Sequence, residues 1–175
     1  MSDLPPPVYL AKLAAEARDL DQAGFVARYP HPSLVLEPFA VVTDDTQFET
    51  VRSGGTGAGR RRVVPIVKRD AALFAAMISL GRAKSCDLIL DAQSVSRFHG
   101  YFAFDAEGAL SFTDGKSTAG TVIAGERLEG GTRPTPPGTR IRFGTVEATV
   151  MSPEQLYDEA YGYWTTRVPR PEITR

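Results

Sequence analysis

The sequence predicts a mainly β fold: an antiparallel β-sandwich with helical N- and C-terminal extensions. Two observations carry this. Between residues 63 and 151, short apolar runs with period-two alternation are separated by Gly-, Pro- and Asp-containing turns, a rhythm that suits a sandwich and not a parallel α/β sheet. Outside that stretch, both ends of the chain carry apolar residues at helical spacing.

Residues 1–32 read as a helical N-terminal extension. After Pro5-Pro6-Pro7, the positions Tyr9, Leu13, Ala17 and Leu20 recur at helical spacing, with Lys12, Glu16 and Asp19 on the other side. Gly24, Pro30 and Pro32 interrupt the pattern, which predicts one long helix and a short second one. Helices this short are marginal alone, so they must pack on the β body or on a partner. Residues 33–62 read as a transitional segment. Leu34-Val35-Leu36 and Phe48-Glu49-Thr50-Val51 are short strand candidates, and Ser53 to Gly59, followed by Arg60-Arg61-Arg62, reads as a flexible Gly/Arg-rich loop. That loop lacks the Gly-Lys-Ser/Thr ending of a nucleotide-binding P-loop, and no helix pattern follows it.

Residues 63–151 form the expected sandwich domain. Its strand candidates are Val63 to Lys68, Met77 to Leu80, Leu88 to Leu90, Phe98 to Phe104, Leu110 to Phe112, Thr121 to Ile123, Thr139 to Phe143 and Val146 to Val150. Turns fall at Asp105 to Gly108, Asp114-Gly115, Ala124-Gly125 and Pro134 to Gly138. Phe98, Phe102, Phe104, Phe112 and Phe143 are assigned to the core. Residues 152–175 read as a C-terminal helix and tail. Ser152 at the N-cap, Pro153 at the first helical position and Gln155 two residues later make a helix start. The stripe Leu156, Tyr157, Ala160, Tyr161, Trp164 is expected to cap the sandwich.

Composition removes several function classes. A chain of 175 residues with 42% hydrophobic content can bury a core. A formal net charge of −1 argues against nucleic-acid or membrane binding driven by electrostatics. The single Cys86 has no disulfide partner, and no Cys/His group has metal-ligand spacing, so neither metal nor cofactor is expected. No paired carboxylates or Ser/His/Asp set stands out, so no catalytic residues are assigned and no enzyme activity is expected. The start of the chain lacks the pattern of a secretory signal, and a cytoplasmic location is expected. Arg makes up 16 of the 20 basic residues, and Ala, Gly and Pro are abundant, in keeping with a GC-rich bacterial genome.

Three small polar signatures sit where strand patterns give way to loops. They are Gly81-Arg82 with Asp87 following, Ser96-Arg97-Phe98-His99, and Ser117-Thr118-Ala119-Gly120-Thr121. Together they offer a guanidinium, hydroxyls and glycine turns with free N–H groups. A phosphothreonine carries about −1.5 to −2 charge and three acceptor oxygens. Charge-assisted bonds from a planar guanidinium suit it better than an ammonium does.

These signatures, in this order, make the stretch Met77 to Met151 resemble a forkhead-associated (FHA) domain. The resemblance implies a non-enzymatic module that binds phosphothreonine in a partner protein such as a Ser/Thr kinase or its substrate. It assigns phosphate contacts to Arg82 and Ser96, with Thr118 assisting; Arg97 reads as either a peptide contact or a surface salt bridge. Gly81, His99 and Gly120 would support the binding loops, and Asp87 matches the family's Asp after the Gly-Arg pair. Where the family carries Asn before Gly in the third signature, this chain has Ala119, and a second Asn-Gly is replaced by Ala124-Gly125. Losing an amide that holds the bound peptide implies weakened phosphopeptide affinity. The alternative is a scaffold that keeps the fold but assembles through its helical extensions without phosphate. Thr43-Asp44-Asp45-Thr46 adds a candidate phosphorylation site that could dock on the chain's own site or a neighbouring copy's, a route to self-association.

Overall fold

The computed structural model describes residues 8–39, 60–69 and 76–167. The stretches Thr43 to Thr46, Phe48 to Val51 and Ser53 to Gly59 lie outside the described residues. Among these residues are twelve strands and three helices: β1 (Val8–Tyr9), α1 (Leu10–Asp19), α2 (Gln22–Arg28), β2 (Ser33–Leu36), β3 (Arg62–Pro65), β4 (Ile78–Gly81), β5 (Leu88–Ile89), β6 (Gly100–Phe104), β7 (Leu110–Asp114), β8 (Thr121–Ile123), β9 (Glu126–Arg127), β10 (Thr132–Pro134), β11 (Arg140–Phe143), β12 (Val146–Met151) and α3 (Pro153–Arg167).

The strands form two sheets. One has seven strands in the order β1-β3-β2-β12-β11-β8-β9, the other five in the order β10-β7-β6-β4-β5. All pairings are antiparallel except β4 with β5, where Leu80 faces Leu88 and Gly81 faces Ile89. The inward positions follow the alternation read from sequence: Val146, Ala148 and Val150 on β12, Ile141 and Phe143 on β11, and Phe102 and Phe112 on the opposite sheet are buried. Phe102, Phe112 and Phe143 meet edge to face with centroids 4.8 to 6.4 Å apart, the geometry that aromatic quadrupoles favour.

The segment from residue 33 contributes a strand to the middle of the larger sheet. In β2, Leu34 and Leu36 face the core between the sheets, while Val35 faces the other way, toward the helices. All four β2 residues are buried, which removes the polar-apolar alternation an outer strand would show. The helices make a third layer. Leu10, Leu13 and Ala17 of α1, Phe25 of α2, and Leu156 and Ala160 of α3 cluster on Val35 and Val63. Each large aliphatic or aromatic side chain buried there stabilises the layer by roughly 1.5–3 kcal/mol.

Several local expectations change. Tyr9 does not belong to the first helix: it pairs with Arg62 as a strand residue and is 54% exposed. The break between α1 and α2 comes from Asp21, whose side chain accepts the Gly24 N–H at 2.8 Å, so Gly24 lies inside α2 and does not end it. Phe98 and Phe104 are 46% and 43% exposed and are not core residues. Phe98 precedes β6, where strand alternation has not begun, and Phe104 ends it beside Pro32, Pro134 and Pro136, beyond the opposing sheet. At Ser152 the expected box is formed: the hydroxyl accepts the Gln155 N–H at 3.2 Å and the Gln155 side chain accepts the Ser152 N–H at 3.3 Å.

Candidate functional site

β4 ends in Gly81, where nothing larger fits. A Cβ there would fall 2.2 Å from the carbonyl oxygen of Arg97, so the two chains touch backbone to backbone. This close approach lets two bonds zip the first signature onto the second. The Arg82 N–H donates to the Ser96 carbonyl at 3.0 Å, and the Ala83 N–H to the Arg97 carbonyl at 3.1 Å. The Cys86 thiol adds a third link by donating to the Arg97 carbonyl at 3.3 Å. Burial pushes that thiol above its ordinary pKa, with the Asp87 charge adding to the rise, so Cys86 acts here as a buried packing group.

Asp87 closes the far side of the same loop. Its carboxylate accepts from the Ser79 N–H at 2.8 Å, the Ser79 hydroxyl at 2.6 Å, the Arg69 N–H at 2.8 Å and the Lys68 ammonium at 2.8 Å. Burial alone would raise its pKa, but these donors outweigh it and hold the carboxyl below the ordinary value.

The third signature is joined to the second by one bond. The Thr118 N–H donates to the Ser96 hydroxyl oxygen at 3.0 Å. A hydroxyl has one donor and two acceptor positions. With an acceptor position taken, the Ser96 O–H proton stays available for an incoming oxyanion. The loop itself is folded around Asp114, which accepts from the Ser117 N–H at 2.8 Å, the Ser117 hydroxyl at 2.7 Å and the Thr121 hydroxyl at 2.6 Å. Burial opposes ionisation of Asp114, and the Thr121 and Ser117 bonds win, holding its pKa low. Gly120 takes a φ of +79° at the end of this loop, and its carbonyl accepts the Gly144 N–H at 3.1 Å.

His99 lies beneath the signatures, fully buried and edge-on to Phe143 at 5.7 Å. Its Nδ1 accepts the Ser96 N–H at 3.2 Å, its own N–H donates to the Leu80 carbonyl at 2.8 Å, and its carbonyl accepts the Gly115 N–H at 2.8 Å. Nδ1 as acceptor places the proton on Nε2. Nε2 sits 3.9 Å from the Asp114 carboxylate and near the Gly120 carbonyl, and among the described residues it has no well-aligned acceptor. Burial lowers the pKa of His99, with Asp114 and the Gly120 carbonyl countering only in part, so the ring is neutral.

The structure therefore brings Gly81, Arg82, Ser96, Arg97, His99, Thr118 and Gly120 together through direct bonds between their loops. Arg82 and Arg97 are exposed, and among the described residues neither guanidinium has an ion-pair partner. Two residues of this rim escaped the sequence reading. Asp114 passed as a turn residue, although its position three before Ser117 in Asp-Gly-Lys-Ser is the signal of a side chain capping its own loop. Arg127 carried no signal, because its closeness to Gly120 depends on the β8–β9 turn.

The model of the FHA domain family matches residues 78–144. This segment, which runs from β4 through β11 and holds all three signatures, is an FHA domain. A search of curated proteins returns no match. Solved structures similar to the chain include an FHA domain from Chlamydia trachomatis, at 14% identity and a TM-score of 0.49, covering 69% of this chain and 96% of that one. The FhaA FHA domain, solved with the intracellular domain of another protein, is similar at 22% identity and a TM-score of 0.46, covering 68% of this chain and 98% of that one. EmbR of Mycobacterium tuberculosis, solved with a low-affinity phosphopeptide, is similar at 21% identity and a TM-score of 0.45, covering 81% of this chain and 30% of that one. No helix among the described residues is long and apolar enough to cross a membrane.

Proposed function

We propose that the chain is a phosphothreonine-dependent protein-binding module, an adaptor that captures a kinase-phosphorylated partner without catalysing a reaction. Arg82 and the hydroxyls of Ser96 and Thr118 hold the phosphate, and Arg97 lies against the peptide. The observation that carries this reading is an exposed Arg82 guanidinium without an ion-pair partner among the described residues, on a loop bonded to Ser96, whose hydroxyl is in turn held by Thr118. A cation left unpaired on so well-fastened a loop is arranged for an anion from outside. His99 and Asp114 hold the loops from below, so the cradle exists before the ligand arrives.

The rival reading, a scaffold that assembles through its helices without phosphate, has less support. The apolar faces of α1, α2 and α3 are largely spent on Val35 and Val63 of the chain's own sheet. The test is a binding titration with a degenerate phosphothreonine peptide library and its unphosphorylated counterpart. Wild type is expected to bind only the phosphorylated library. Arg82→Ala should weaken that binding roughly ten- to hundredfold, the equivalent of one charge-assisted bond, with an unchanged melting temperature. Equal binding of both libraries, or an Arg82→Ala variant that binds as wild type does, would overturn the reading.

A further inference from the structure

The rim holds more positive charge than one phosphate needs. Besides Arg82 and Arg97, Lys116 and Arg127 are exposed and have no ion-pair partner among the described residues. Most carboxylates of these loops are engaged elsewhere, and the exposed Glu129, two residues after Arg127, forms no ion pair with it. Asp87 is bonded to Lys68, Ser79 and Arg69, Asp114 to Ser117 and Thr121, and Glu126 is paired with Arg133 at 3.0 Å.

Arg127 is the member of this group whose place is most sharply defined. A methyl built on Gly120 would lie 2.7 Å from its Nη2 and 2.9 Å from its Cζ, so the guanidinium rests against the Gly120 backbone. Thr118 is two residues back along the chain, at most about 7 Å between Cα atoms. Between them stands Ala119, exposed and with no side-chain donor. The only charged donor that the β8–β9 hairpin brings to this loop is therefore a planar five-donor fork, suited to a carboxylate.

Resting on the phosphothreonine reading, we infer that Arg127 is a specificity-determining residue that selects partners with Asp or Glu beside the phosphothreonine. A dianionic phosphate occupies Arg82, and a flanking carboxylate occupies Arg127. The third signature thus reads charge where an Asn would have read backbone.

The experiment uses the full chain and three fluorescent phosphothreonine peptides: one with neutral flanks, one with Glu residues preceding the phosphothreonine, and one with Glu residues following it. Wild type is expected to bind one acidic-flanked peptide roughly three- to tenfold more tightly than the neutral one at low salt, the gain shrinking as salt rises. Arg127→Gln should abolish that preference, so that the acidic-flanked peptide binds no more tightly than the neutral one, while Arg127→Lys keeps part of the preference. A preference that survives Arg127→Gln, or no preference in wild type, overturns the assignment and leaves phosphothreonine binding intact. Equal weakening of all three peptides by Arg127→Gln would show that Arg127 only props the Gly120 loop, and also overturns it. If wild type binds none of the peptides, the phosphothreonine reading itself falls and this inference with it.

Discussion

The two halves of the binding rim are built to different standards. On the Arg82–Ser96 side, backbone lies on backbone: Gly81 leaves no room for a Cβ, two amides donate across to the Ser96 and Arg97 carbonyls, and Asp87 fastens the loop with four acceptor contacts. On the Thr118–Gly125 side, the loop reaches Ser96 through one amide, and both positions where the resemblance expects Asn-Gly carry Ala-Gly. Ala124 even sits at a φ of +52°, a conformation that costs a side-chain-bearing residue roughly 1–2 kcal/mol. The Arg82–Ser96 half is fastened at several points, whereas the Thr118–Gly125 half carries Ala where the resemblance expects Asn and holds Ala124 at a strained φ. On the proposed reading, the fastened half takes the phosphate and the other half is where the grip on the rest of the ligand differs.

The largest effect should come from Gly81→Ala. Its methyl would collide with the Arg97 carbonyl, which is backbone and cannot rotate away, so we expect a loss of about 2–4 kcal/mol by denaturant titration together with loss of phosphopeptide binding. A destabilisation below about 0.5 kcal/mol would show that the two signatures are not in contact.

Acid should act next, through the groups beneath both halves. His99 has its pKa lowered from the ordinary 6.5, so the unfolded chain takes up a proton before the folded one does. Its contribution to stability is complete above 6.5 and is lost as pH falls toward the folded value. Asp87 and Asp114, both lowered from 3.8, contribute fully above that pH, and their share is lost as pH falls through their folded values. Melting temperature should therefore decline below pH 6.5 and fall more steeply below pH 3.8. A melting temperature that rises between pH 7 and pH 5 would contradict the buried neutral imidazole.

Ala119→Asn tests the weaker half directly. Restoring an amide on an exposed loop should tighten phosphothreonine-peptide binding by roughly three- to tenfold, below the full value of a buried bond because water already competes there. If affinity does not move, the missing Asn is not what limits binding. The smallest effect is expected for Ala124→Asn, since Asn-Gly is the favoured pair for a two-residue hairpin with positive φ at both positions. It should stabilise the chain by about 0.5–1 kcal/mol, or roughly 1–4 °C in melting temperature, without touching affinity.

The contrast also explains which parts of the site were legible beforehand. Arg82, Ser96 and Thr118 could be grouped from sequence because each lies in a short signature of distinctive residue types. Arg127 could not, since a lone Arg on a hairpin looks like a solvated charge until a turn delivers it to Gly120. Phe98 and Phe104 were misplaced for a related reason: alternation tells which face of a strand a residue occupies, but not how far the opposing sheet extends. Leu34-Val35-Leu36 showed no alternation because β2 is covered on both faces, by the core on one and the helices on the other.

By itself the sequence determined most of the ladder of strands (though not β1, β9 or β10), the main turns, the helix start at Ser152 and the three signatures, because periodicity and turn chemistry are local. Tertiary structure decided what those pieces meet: that β2 enters the larger sheet, that the helices cover its back, that Asp114 and His99 lie under the loops, and that Arg127 reaches Gly120. The contacts of β2 and the helices join residues distant along the chain, and those of Asp114 and Arg127 depend on how a loop and a hairpin turn; both kinds draw their energies from burial and hydrogen bonds that exist only once the layers have packed.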